Sequence, residues 1–364
     1  MASTKAPLTV DRRTVLTTAA VAATGAAIGA GSDTAQAAEA RKSWAARPPA
    51  GFVRRSLPGK VVKVTQPGSL QENGVYPKAR AARTMLARAM TELTGKASLR
   101  DAMALFVHPD DIVAIKPNGI AGKKTMKMAS NKELVVEIVK AVMMVGVPAE
   151  NITIFEQYRD FLFATRCVTD KDKLTPAPEL PAGVKTAVHL NTEAEMGSIT
   201  VGGIPTKFVT PFTQATAVIN VPQLKDHAIC GYTGALKNIT HGATINPQHF
   251  HKHGASPQIA DLYAQDVVKS RVVLHVKDAY QVIYDGGPVD KLAHRRIPHE
   301  AIYVSTDPVA MDVMGWKVVE QLRKENGLPT LKAASREPTY LQIAGQLGLG
   351  VFDEEQIDYR ELKI

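Results

Sequence analysis

The sequence predicts an α/β fold, a mostly parallel sheet flanked by helices, with a cap or insertion around residues 159–210. Three observations carry this. Asp111–Ile115 and Asn151–Phe155 are apolar runs of strand length. Between them Leu134, Val135, Ile138, Val139 and Val142 have the spacing of one helix face. Strand, helix and strand within about 45 residues make a βαβ unit, whose strands are parallel with a right-handed crossover. Further apolar runs at Ala217–Val221, Val272–Val276 and Ala301–Val304 extend the same alternation.

Taken in order, the chain opens on an export signal. Asp11-Arg12-Arg13-Thr14-Val15-Leu16 is a twin-arginine pattern, an uncharged run from Thr14 to Gly31 follows, and Ala35-Gln36-Ala37 has small residues where a signal is cleaved. Residues 1–37 therefore predict passage through the twin-arginine translocase to a periplasmic or extracellular location, with a membrane anchor if the signal stays on. The run falls short of about 20 strongly apolar residues, so it does not predict a membrane span. No later stretch does either, and no integral membrane domain is expected once the signal is removed.

Residues 38–58 read as a polar lead-in, and 59–364 as a single α/β domain. Lys60–Thr65 alternates as a first strand. Pro77 suits the first turn of a helix that stops at Gly95. Ser130-Asn131-Lys132-Glu133 has the form of a capping box for the helix that closes at Gly146. Short strands are expected near Val184–Leu190 and Ser198–Ile204, and a helix near Pro257–Val268. A last helix from Pro308 to about Lys324 turns Ala310, Val313, Met314, Trp316, Val318 and Leu322 inward.

The net charge is +9, and it is scattered rather than gathered in a basic tail, so nucleic-acid binding is not expected. A basic surface suits an anionic small molecule or a wall polymer. Two cysteines, Cys167 and Cys230, are too few for a disulfide framework or a four-thiolate iron–sulfur cluster; whether they pair stays open.

The candidate chemistry gathers after the apolar runs. Lys116-Pro117-Asn118, Glu156, Lys225-Asp226-His227, Asp278 and Asp307 each follow a predicted strand, and ligands of open parallel sheets bind at that edge. Ala217–Gly254 is the densest stretch. It holds His227, His241, His249, His251 and His253, half of the ten histidines, and reads as a long irregular loop without helical or strand period. His249, His251 and His253 alternate, so in an extended segment they share a face as metal ligands would. His227 is a candidate acid/base group and Lys237 a cation or nucleophile, with Lys225 beside them. Gly231-Tyr232-Thr233-Gly234 lacks the spacing of a Walker phosphate loop. No G-x-S-x-G, H-E-x-x-H or G-x-G-x-x-G motif is present.

Four segments resemble the domain-of-unknown-function 362 family (DUF362): Ile115–Asn118, Asn220–His227, Thr233–Asn238 and Ser305–Asp312. Many relatives carry a ferredoxin-type cluster segment, for which this chain lacks the cysteines. The order His227, Gly231-Tyr232-Thr233-Gly234, Lys237, His253 is also similar to the active-site segment of the nickel-pincer lactate racemase family. That resemblance implies Lys237 holding the pincer cofactor covalently, His253 ligating nickel, and His227 moving a proton while the cofactor accepts hydride. A second acid/base histidine has no counterpart, since His108 precedes a strand. The two resemblances together imply a metal- or cofactor-dependent enzyme, acting by hydride or proton transfer on a small polar or anionic substrate, and the signal makes it an exported one. Its catalytic set would be His227, Lys237 and Lys225, its rim Lys116, Asn118, Asn238 and Asp307, and its metal ligands His253, His251 and His249. The competing reading is a non-catalytic exported protein that binds an anion or wall polymer.

Overall fold

The α/β reading holds, and the sheet positions the site. The structure, a computed structural model, describes residues 43–125 and 127–364, without the side chain of His253. The expected export signal and the start of the lead-in lie outside the described residues. Residues Ser43–Ile364 pack as one unit, and no described helix is long and apolar enough to cross a membrane.

Strand β1 (Lys60–Thr65) lies where its alternation predicts. Helix α1 (Ala79–Thr94) follows; Lys78 is its N-cap, so Pro77 stands outside the first turn, and Gly95 ends it in the left-handed conformation at φ 72°. A short α2 (Leu99–Met103) leads to β2 (Val113–Lys116), α3 (Lys132–Val145) and β3 (Ile152–Glu156). β2 and β3 are parallel, as the βαβ reading requires. The capping box does not form. Ser130 Oγ instead accepts the Asn118 N–H and donates to Val221 O, while Glu133 pairs with Arg166. Stronger buried partners took both residues from the helix end.

The region 159–210 contains α4 (Arg159–Ala164), a hairpin of β4 (Val168–Asp170) and β5 (Thr175–Pro176), then β6 (Lys185–Val188). A second hairpin, β7 (Ile199–Val201) and β8 (Ile204–Thr206), and α5 (Thr210–Thr213) complete it. It is only partly an insertion, because β6 joins the main sheet beside β3.

The stretch expected as an irregular loop is ordered. After β9 (Ala217–Asn220) come β10 (Gln223–His227), β11 (Gly231–Thr233), α6 (Ala235–His241) and a 3₁₀ turn over Pro247–Ala255. Helices α7 (Gln258–Tyr263) and α8 (Asp266–Lys269) precede β12 (Val272–Ile283) and β13 (Arg296–Ser305). The last elements are α9 (Pro308–Glu325), α10 (Tyr340–Gln346) and β14 (Asp358–Lys363). On α9, Ala310 and Val313 are buried as expected, whereas Met314, Trp316, Val318 and Leu322 are half-buried.

The main sheet runs β14-β1-β13-β12-β9-β2-β3-β6, with β10 pairing to β12 and β11. Along that path only β13 is antiparallel to its neighbours. Successive side chains of a strand face opposite sides. Ile115, Ile154 and Ile219 pack in one apolar cluster with Leu86 of α1 and Val135 of α3. Ala114, Phe155 and Val218 pack in a second with Ile239 of α6 and Ile259 of α7. The sheet is thus covered on both faces, and its carboxyl edge is left for ligands.

Candidate active site

The site is built from the carboxyl ends of β2 and β3, the β10–β11 hairpin and α6. Asp312 of α9 sets α6 in place: its two oxygens accept the N–H groups of Ala235 and Leu236 at 2.7 and 2.9 Å. An anionic side chain at those free N–H groups stabilises the helix start. One turn on, α6 presents Lys237 and Asn238.

Three asparagines tie the segments together. Lys225 Nζ donates to Asn118 Oδ1 at 2.6 Å, Asn118 Nδ2 donates to Asn238 Oδ1 at 2.8 Å, and Asn238 Nδ2 donates to Asn220 Oδ1 at 2.7 Å. Asn220 Nδ2 passes on to Ala235 O and to Nδ1 of His275. All of these residues are buried. A buried amide chain with partners at every link is rigid, since each orientation is dictated by the next. Beside it Lys116 Nζ pairs with Glu156 Oε2 at 3.1 Å, and Glu156 also accepts the Gly119 and Gln157 N–H groups.

These groups wall a cavity of about 280 Å³, lined by Lys116, Lys225, Lys237, His227, His251 and Thr233 among others. Glu156 is the one carboxylate among its described lining residues, against three lysines. Burial lowers the pKa of Lys225 to about 7, although Glu156 pulls it up. Burial lowers Lys237 too, and Cys230 opposes this. Lys237 Nζ lies 3.0 Å from His251 Nε2, and the other nitrogen of that ring donates to Pro247 O at 2.9 Å. Among the described residues no carboxylate forms a salt bridge with Lys225 or Lys237.

Burial disfavours the charged form of His227, His241 and His251. Burial pushes His227 and His241 well below the usual value and His251 to about 4, and the Lys237 charge adds to each shift. Nδ1 of His227 accepts the N–H groups of Ile229 and Cys230 at 3.1 and 3.4 Å. A nitrogen that accepts cannot carry the proton, so the neutral ring holds it on Nε2. His227 is therefore a donor; the expected acid/base role would require giving up the contacts at Nδ1.

Of the sequence-derived set, Lys116, Asn118, Lys225, His227, Lys237, Asn238 and His251 come together on the cavity wall. Asp307 does not. Because β13 is antiparallel, its end faces the amino-terminal edge of the sheet, where Asp307 caps α9 and accepts the Gly59 and Val351 N–H groups. Asp278 likewise lies within β12 rather than beyond it, accepting from Asn131 at 2.6 Å. The extended segment expected to put His249, His251 and His253 on one face is not formed, and the side chain of His253 lies outside the described residues. Their segment is a 3₁₀ turn, not an extended strand, so residues two apart diverge. His249 is exposed, and the described residues contain no group of three or more side chains placed to hold a metal.

Thr233 and Asp312 escaped the sequence reading. Thr233 stands opposite Lys225 in the β10–β11 register, a relation legible only once the polar run Gln223–His227 is read as a strand. Asp312 sat in a recognised segment but acts from a helix on the far side of α6.

No curated protein matches the chain. Among solved structures it is similar to a protein from Thermotoga maritima, at 11% identity over 75% of this chain and 60% of that one, with a TM-score of 0.41. It is also similar to the lactate racemase apoprotein from Thermoanaerobacterium thermosaccharolyticum, at 13% identity over 71% of this chain and 57% of that one, with a TM-score of 0.37. The chain thus spans less than two thirds of either solved protein. The family described as a domain of unknown function, DUF362, matches residues 113–317, more than half of the sequence and every wall of the cavity named above, and the chain belongs to that family.

Proposed function

We propose that this chain is an enzyme acting on a small anionic substrate in the cavity, with the amine of Lys237 as its reactive group. One observation carries the reading. Lys237 is buried on the wall of the cavity, and its hydrogen-bond partner is a neutral imidazole rather than a carboxylate. A lysine without a counter-ion in a dry wall loses affinity for its proton, and its unprotonated amine is nucleophilic. His251 Nε2 accepts a hydrogen bond from the Lys237 nitrogen, because its Nδ1–H is held by Pro247 O.

With Lys116 balanced by Glu156, Lys225 supplies the positive charge that draws an anion into the cavity. His227 donates its Nε2–H to an oxygen of the bound molecule. Lys237 also fits the attachment point of the covalent cofactor that the racemase resemblance implies, being an amine on a cavity wall with no carboxylate partner among the described residues; such a cofactor, when bound, would supply hydride acceptance. The resemblance gives nickel to His253, whose side chain lies outside the described residues, and no step is assigned to a metal. Export through the twin-arginine translocase, on the strength of Arg12-Arg13 and Ala35-Gln36-Ala37, belongs to the same proposal.

Reductive methylation of the intact protein at pH 7.5, read residue by residue by mass spectrometry, tests the amine. Lys237 is expected to react faster than exposed lysines such as Lys324, or to arrive already carrying a covalent mass increment when the protein is purified from its host without chelators. An unmodified and unreactive Lys237 would sink the enzyme reading and favour a passive anion-binding protein.

A further inference from the structure

We propose that the inner face of the β10–β11 hairpin is a receptor for a single carboxylate group, with Lys225, Thr233 and His227 as its donors. This rests on the reading of the cavity as a small-anion site and locates the anionic end of the ligand within it.

The register makes the face. Lys225 pairs with Thr233 across the antiparallel strands and His227 with Gly231. Lys225 and His227 are two apart on β10 and so share a side of the hairpin, with Thr233 about 5 Å across from Lys225 at the Cβ atoms. All three line the cavity. Asp226 and Tyr232 occupy the opposite side, where Arg336 pairs with Asp226 and Lys277 donates to the Tyr232 hydroxyl. One face of the hairpin is thus fully engaged by protein, and the other is not.

The unengaged donors are specific. Thr233 is 4% exposed, and its Oγ1 has no partner among the described residues. Lys225 is 0% exposed, and Asn118 takes only one of its ammonium hydrogens. His227 keeps an Nε2–H after Nδ1 is used by the backbone. Leaving a buried donor unmade costs about 1–3 kcal/mol, more for a charged one, so a set of three converging on a cavity is a stored affinity for an acceptor. Two ammonium hydrogens, one hydroxyl and one imidazole N–H match the four lone-pair positions of a carboxylate. They supply one positive charge, which suits a monoanion better than a phosphate dianion. Because Lys225 sits near pKa 7 when the cavity holds no anion, a bound carboxylate pulls a proton onto it.

Calorimetric titration of the full chain with glycolate, inorganic phosphate and neutral ethylene glycol, in buffers of different ionisation enthalpy at pH 7.5, tests this. Glycolate is expected to bind one per chain with proton uptake, and ethylene glycol not at all. Thr233→Val keeps the side-chain shape and should weaken glycolate about tenfold, a hydrogen bond to a charged group being the loss; Thr233→Ser should restore it. Lys225→Met should abolish the proton uptake. Phosphate bound in preference to glycolate, or Thr233→Val binding glycolate as tightly as the native chain, overturns the proposal. So does a chain that binds none of the probes. In that event a Lys237 that still methylates rapidly leaves the enzyme reading standing, and an unreactive one removes both.

Discussion

Lys277 and Asp312 face each other 2.9 Å apart with neither side chain exposed, and the same carboxylate starts the helix that carries Lys237. Lys277 also donates to the Tyr232 hydroxyl and Met311 O. Burial pulls the Lys277 pKa down, and Asp312 holds it up. Removing one partner of a buried pair leaves an uncompensated charge and costs about 3–5 kcal/mol. Asp312→Ala should lose that much in urea denaturation, because it strands both the ammonium and two helix N–H groups. Lys277→Met should lose less, since Asp312 keeps its two backbone donors. Equal losses would show that the cap contributes nothing.

Stability should fall as pH drops from about 6.5 to 4. His189, His251 and His299 are held at about 4 and His275 at about 3, chiefly by burial, and His227 and His241 are also lowered well below the ordinary value. Each is neutral in the fold but takes a proton in the unfolded chain below about 6.5. The unfolded state then binds more protons, and stability declines with pH. Asp226 and Asp278, raised to about 6 mainly by burial, act oppositely, as do Asp261 and Asp307, also raised by burial, since the fold binds their protons first. Six histidines against four aspartates leave a net loss. Calorimetric Tm values from pH 8 to 4 check the sign, and a Tm that holds or rises over that range contradicts it.

The fold was legible where local rules and global packing agree. β1, α1 and the β2–α3–β3 unit have apolar periods that match their burial, and Gly95 and Gly146 end their helices in the left-handed conformation. The hairpin was not, because Gln223-Leu224-Lys225-Asp226-His227 is buried at every position yet mostly polar. No apolar alternation marks such a strand; Lys225 and Asp226 find partners remote in sequence, Asn118 and Arg336. The same holds for β12, which continues through Lys277 and Asp278 because Asp312 and Asn131 receive them. Direction was equally hidden. Nothing local in Ala301–Val304 shows that β13 runs against its neighbours, and that alone moved Asp307 to the far edge.

Gly231 marks the turn of the hairpin and should not tolerate a side chain. Its φ is 73°, and a Cβ there would lie 1.8 Å from Arg336 O. Left-handed strain in a non-glycine residue costs about 1–3 kcal/mol before any clash. Gly231→Ala should therefore lower stability by at least that amount and weaken glycolate binding, since His227 pairs with this residue. An alanine variant with native stability would mean that the turn rearranges freely.

Export is tested at the arginine pair. Replacing Arg12 and Arg13 together by lysine keeps the charge but removes the twin-arginine signature. The variant should accumulate inside the cell, while the native chain is recovered outside the cytoplasm by fractionation. Unchanged export of the variant would remove the signal from the proposal.

His227 gives the sharpest test of the chemistry. Burial, the neighbouring Lys237 charge and two backbone N–H groups at Nδ1 all disfavour a second proton on the ring. Nitrogen-15 spectra of histidine-labelled protein should show His227 as the neutral Nε2–H tautomer throughout pH 8 to 5, a range in which a free imidazole becomes charged. Lys237→Met removes a neighbouring positive charge, so the His227 and His251 pKa values should both rise towards the ordinary value without a change of tautomer at His251. His227→Gln, which keeps an N–H donor, should retain more glycolate affinity than His227→Ala. An imidazolium at His227 near pH 6 would restore the general acid/base role and remove the donor role argued from its backbone contacts.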